Sequence, residues 1–163
     1  MRGNSIKAMP HWLKYAPKPP GLIPARAAIG DPHVSVGFVA GDGGAVIWPQ
    51  LIGYARAKEY LMTGDLMTAS HAVQIGLINH AVPADELDAR VDAFADKLVA
   101  GATKAIRWTK MSVNIGLRDL ATSIMDASLG YEALSNATPD HQEAVHAFAE
   151  KRPPVFGRAR AAT

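Results

Sequence analysis

Residues 31–53, DPHVSVGFVAGDGGAVIWPQLIG, constrain the fold of this chain more than any other stretch. Asp31-Pro32 bars a helix from running into the segment, because the residue before a proline is pushed out of the α region. His33 to Val39 is a short β-branched and aromatic run, which predicts a mostly buried strand. Gly41, Asp42, Gly43 and Gly44 follow as a loop with little steric restriction, and Ala45 to Trp48 begin an apolar helical pattern. Strand, glycine loop and helix start together leave backbone N–H groups to face a ligand. The loop is therefore a candidate site, although many glycine loops only make a tight turn.

The remainder reads as mostly helix. Trp48-Pro49 predicts an interruption of the first helix, leaving Ala45–Trp48 as a short turn or a kinked first segment, and a second helix is expected over about 50–62, with Leu51, Ala55, the stem of Lys58, Tyr60 and Leu61 on its apolar side. Gly64 fits the left-handed position that closes a helix, and Thr68 caps a short helix closed by Gly76. Residues 77–82 read as a brief extended segment ended by Pro83. Beyond Asp85, Leu87, Val91, Phe94, Ala95, Leu98 and Val99 recur at helical spacing. A helix ending near Gly116 follows, then another carrying Leu120, Ile124, Ala127, Tyr131 and Leu134. Thr138-Pro139-Asp140 opens the last helix with a cap, a proline at the first position and an acid in the first turn. Ala144, Phe148 and the stem of Lys151 are expected on one side of it.

Composition excludes several functions. The net charge is +2 with no block of Lys and Arg, which argues against a nucleic-acid partner. No apolar run approaches the ~18 residues of a membrane span. The absence of cysteine excludes disulfides, thiol catalysis and cysteine-ligated zinc, and fits a cytoplasmic location. His141 and His146 are five apart, not the three or four a helix-borne metal pair prefers, so no metal is expected.

Three segments carry a resemblance: DPHVSVGFVAGDGG, then LIGYARAKEYLMTGDLMTASHAVQIGLINHAVP, then TPDHQEAVHAFAEKRPPVF. Together they resemble the C-terminal portion of the enoyl-CoA hydratase/isomerase (crotonase) superfamily, over about Leu22 to Arg158. The resemblance covers only about the second half of what that family carries. It implies an α/β, helix-dominated fold: a partial β-β-α spiral with a C-terminal helical region. The expected organisation is a basic, proline-rich, poorly ordered leader over 1–27, a partial spiral core over 28–84, and helices over 85–163 that mediate homo-oligomerisation as a trimer or hexamer.

The resemblance also implies an acyl-CoA thioester as ligand, with coenzyme A entering as part of the substrate and no separate cofactor. The family's P-E-x-x-x-G pattern here reads Pro32-His33-Val34-Ser35-Val36-Gly37, so His33 occupies the position of a catalytic glutamate. Asp42 is an extra acid in the loop, near where a related branch carries a nucleophilic aspartate. His33 and Asp42 are thus the candidate catalytic residues. Phe38, Gly41, Gly43, Phe148 and Lys151 are the candidate substrate-binding residues, the last two matching an aromatic and a lysine near the CoA nucleotide in some relatives. A lysine ammonium suits a phosphate.

The upstream loops that supply the oxyanion donors and the first glutamate have no counterpart in these residues. Losing one such donor costs ~10²–10³ in rate and losing an acid/base group ~10²–10⁴. Three readings follow: a hydratase or isomerase whose other half lies outside this sequence, weak or inactive alone; a non-catalytic acyl-CoA-binding or assembly module; and an oligomeric remnant that no longer binds CoA.

Overall fold

The computed structural model describes residues 22–157. The leader expected over 1–27 lies mostly outside them, but its end is structured: strand β1 (Leu22–Pro24) pairs in parallel with β4 (His80–Val82). Strand β2 (Ala28–Ile29) pairs antiparallel with β3 (Met67–Thr68). Six helices carry the rest: α1 (Gly44–Ile52), α2 (Tyr54–Thr63), α3 (Ala69–Gln74), α4 (Leu87–Ala100), α5 (Thr103–Asn136) and α6 (Pro139–Ala149). Among these residues no helix is long and apolar enough to cross a membrane.

The strand expected over 33–39 is not formed. His33–Val36 is instead a single 3-10 turn, closed by Gly37 in the left-handed region at φ 71°. Its bonds are local: Ser35 N–H donates to the Pro32 carbonyl, Gly37 N–H to that of Val34, and Phe38 N–H to that of His33. Asp-Pro initiates turns, and among the described residues no strand pairs with this segment, so the local bonds win over β propensity.

Two expected breaks are also absent. Helix α1 runs through Pro49 to Ile52, and Gly53 at φ 80° makes the corner to α2. Helix α5 runs through Gly116 for 34 residues. A helical glycine costs about 1 kcal/mol relative to alanine, which an otherwise continuous hydrogen-bond ladder absorbs. The caps stand as expected. Thr68 Oγ1 accepts from His71 N–H and Thr138 Oγ1 from His141 N–H, both at 3.2 Å, and Gly64 closes α2 at φ 72°.

The core is made of small side chains. Its buried members are Ala40, Val46, Ile52, Ala57, Met67, Ala69, Ala72, Ala95, Ala144 and Ala147. Leu87, Val91, Phe94, Ala95 and Leu98 of α4 face inward at least in part. Elsewhere the expected faces shift. Leu51 is exposed while Ile52 and Ala57 are buried, and Tyr131 and Leu134 are exposed while Ser128 is the one buried residue of α5. Phe148 is 87% exposed, its place beside Ala144 taken by Ala147. Lys151, at φ 56°, ends α6: Arg152 N–H reaches back to the Ala147 carbonyl at 3.0 Å and Lys151 N–H to that of Phe148 at 3.2 Å, the pairing of a Schellman cap.

Candidate functional site

The 3-10 turn, the glycine loop and the first turns of α1 line a shallow, open cleft of about 400 Å³. It is lined by Gly30, Asp31, Pro32, His33, Asp42, Gly43, Gly44, Ile47 and Trp48. Polar groups converge from the turn and the loop, and Ile47 and Trp48 give one wall an apolar surface. Such a combination of apolar wall and few placed polar groups suits a small organic ligand.

His33 sits between two carboxylates. Its Nδ1 hydrogen-bonds Asp31 Oδ1, and its Nε2 lies 3.7 Å from Asp42 Oδ2. The exposures differ in a useful order: the side chain of Asp31 is 11% exposed, that of His33 28% and that of Asp42 59%. The inner acid is held against the ring and the outer acid is free to meet solvent or a ligand. Asp31 also bonds the His33 backbone N–H at 3.4 Å, and its other carboxylate oxygen fills the space that the missing side chain of Gly44 leaves. That places the carboxylate at the N-terminus of α1, where the helix dipole favours negative charge.

The hydrogen bond to Asp31 raises the His33 pKa above 6.5, partly offset by burial and reinforced by the charges of Asp31, Asp42 and Glu132. A raised folded-state pKa adds stability that is complete below the unfolded value of about 6.5 and is lost as pH rises through the folded value. Compared with His33→Gln, the wild-type chain should therefore show its largest advantage in thermal unfolding near pH 5.5. The advantage should shrink toward pH 8.5, and one that grew with pH would contradict the assigned pairing.

Helices α5 and α6 hold the loop from behind. A Cβ on Gly41 would lie 2.5 Å from the Ser128 carbonyl oxygen and 2.9 Å from Glu132 Oε2, so only glycine lets the loop approach α5 this closely. Val39 N–H donates to Ser135 Oγ at 3.2 Å. His141 at the start of α6 bonds the Val36 carbonyl through Nδ1 at 2.8 Å and stacks on Phe38 with centroids 4.0 Å apart.

Of the residues singled out from sequence, the structure brings His33, Asp42 and Gly43 together in the cleft. Gly41 lies behind it, and its N–H donates to the Val39 carbonyl at 2.8 Å rather than facing a ligand. The N–H groups of Gly43 and Gly44 take no partner among the described residues, so the free donors sit two and three residues further along the loop than Gly41. Phe38 packs on His141, and Phe148 and Lys151 lie at the far end of α6, none of them lining the cleft. Asp31 was not singled out, although the i, i+2 spacing of Asp-Pro-His lets a carboxylate fold back onto the following residues. Glu132 carried no signal, since only the tertiary fold brings α5 to the loop. Among the described residues no group of three or more His, Asp or Glu side chains is placed to hold a metal ion.

The enoyl-CoA hydratase/isomerase family model matches residues 22–159. Crotonyl-CoA hydratase of Syntrophomonas wolfei is 36% identical over 138 residues, covering 83% of this chain and 52% of the relative. Short-chain-enoyl-CoA hydratase of Clostridioides difficile is 32% identical over 127 residues, covering 78% of this chain and 82% of the relative. A crystal structure of an enoyl-CoA hydratase/isomerase from Mycobacterium paratuberculosis superposes with a TM-score of 0.72 at 38% identity, covering 77% of this chain and 49% of that one. The chain belongs to the enoyl-CoA hydratase/isomerase family of the crotonase superfamily and shares its fold over the matched half. It spans about half the length of most of the relatives it matches.

Proposed function

We propose that the cleft receives the acyl end of an enoyl-CoA thioester and that His33 and Asp42 move protons on its acyl carbons, as isomerisation or hydration through an enolate requires. The observation that carries this reading is the ring nitrogen of His33, 3.7 Å from Asp42 and facing the cleft, in a chain whose relatives include proteins named as enoyl-CoA hydratases. Histidine is the side chain best suited to gain and lose a proton in general acid–base catalysis at physiological pH. The chemistry consists of proton transfers, so it calls for no cofactor beyond the coenzyme A of the substrate. The cytoplasm is the compartment this reading expects.

A test uses but-3-enoyl-CoA in D₂O, because its α-carbon protons are acidified by both the thioester and the alkene. Incubation with the chain should bring deuterium into the acyl group measurably faster than buffer alone, at the weak rate expected without the upstream oxyanion loops. Equal rates despite measurable binding would favour a second reading, a non-catalytic acyl-CoA-binding or assembly module. The observation behind that alternative is α5, where 34 residues contribute one buried side chain while Trp108, Met111, Val113 and Ile115 are exposed. Exposed apolar surface on this scale is characteristic of an interface, so both readings include a homo-oligomer. A monomeric mass by light scattering at micromolar concentration would remove that part.

A further inference from the structure

We infer that Asp31 is a positioning residue for His33: it holds the proton on Nδ1 and so turns Nε2, as the proton-transferring nitrogen, toward the cleft and Asp42. The inference rests on the proton-transfer reading above for its purpose but not for its geometry. Asp31 has three simultaneous attachments. Its Oδ1 meets His33 Nδ1 and the His33 backbone N–H, and its Oδ2 packs against Gly44 at the start of α1. With Oδ1 bonded to both the ring and the backbone N–H of His33 and Oδ2 lodged against Gly44, the carboxylate holds Nδ1 on its own side of the ring. Nε2 then faces outward, where Asp42 stands 3.7 Å away with a side chain 59% exposed.

The order of burial gives the two acids different tasks. Asp31, the more enclosed, stays behind the ring and stabilises imidazolium when it forms. Asp42, the more exposed, can exchange a proton with Nε2 and with solvent. A transfer then runs as follows. Neutral His33 removes a proton from the acyl carbon through Nε2, the carbon's electron pair moves into the thioester as an enolate, and the imidazolium, its proton exchanged with solvent, delivers a solvent-derived proton to a different carbon. Nothing is oxidised or reduced, and the net change is a shifted double bond.

The charges facing the ring come from Asp31, from Asp42 in the glycine loop and from Glu132 on α5. Glu132 Oε2 is buried without a hydrogen-bond partner among the described residues. Helix α6 contributes His141, whose Nδ1 is engaged by the Val36 carbonyl, and α2 meets the turn through Gly64, beside Ser35. Asp31 is the one of these groups bonded directly to the His33 ring.

The test is a ¹⁵N-resolved NMR titration of His33 in the whole chain, together with deuterium incorporation from but-3-enoyl-CoA. In the wild type, the neutral ring should carry its proton on Nδ1. In Asp31→Asn the His33 pKa should fall, and deuterium incorporation should drop by about 10² or more at unchanged thioester affinity, because the wrong nitrogen then faces the substrate. A wild-type ring protonated on Nε2 overturns the inference even if Asp31→Asn does not fold, and so does a His33 pKa indifferent to Asp31→Asn. A wild-type ring with the expected tautomer and titration, but no deuterium incorporation above buffer, upholds the positioning and sinks the enzymatic reading instead.

Discussion

With His33 replaced by glutamine, deuterium incorporation into but-3-enoyl-CoA is expected to fall about 10²- to 10⁴-fold, the usual contribution of a positioned acid or base. Glutamine keeps an amide near the Asp31 carboxylate and approximates the length of the imidazole, so the 3-10 turn should persist. What it lacks is a group that can gain and lose a proton near neutral pH. The loss should therefore appear in turnover and leave thioester affinity within a few-fold of the wild type. A His33→Gln chain that incorporates deuterium at the wild-type rate would show that the ring is a structural member of the turn, and the assignment of Asp42 as its partner would go with it.

The largest stability effect should come from Gly37→Ala. Two independent costs meet at this position. The backbone is left-handed at φ 71°, which costs an L-residue roughly 1–2 kcal/mol. The added Cβ would also lie 2.8 Å from the His141 nitrogen and 2.9 Å from its Cα, and these are backbone atoms at the start of α6 that cannot swing aside. Overpacking of this kind costs about 1–3 kcal/mol, so the sum is on the order of 2–5 kcal/mol. Total stabilities of ~5–15 kcal/mol make that a large fraction. Denaturant titration should show a lower midpoint, and the Val36–His141 bond and the Phe38–His141 stack should loosen with it. An unchanged midpoint would mean that α6 does not press on the turn.

The parts of this fold that were legible in the sequence are those fixed by neighbours a few residues away. Thr68 and Thr138 announce their caps because the hydroxyl reaches a backbone N–H three residues on, and Gly64 announces its helix end because only a residue tolerant of positive φ fits there. The family pattern located the cleft through His33 and the glycine loop. The 33–39 segment reads as a strand because a short apolar run has no period of its own, whereas the bonds that decide it are local turns. Gly116 and Pro49 read as breaks because each is unfavourable in isolation, whereas the helices continue through both. The pairing of Asp31 with His33 was within reach of the sequence. Glu132, Ser128 and Ser135 were not, since no spacing rule links a loop to a helix so distant along the chain.

One mechanical consequence follows from where α5 ends. At 1.5 Å per residue its 34 residues make a rod about 51 Å long. Only its last third grips the glycine loop, through the Ser128 carbonyl, the Glu132 side chain and the Ser135 hydroxyl. Away from the loop the rod also packs against α4 and carries Trp108, Met111, Val113 and Ile115 exposed to solvent. A single continuous helix thus joins an exposed apolar face to the loop that carries Asp42.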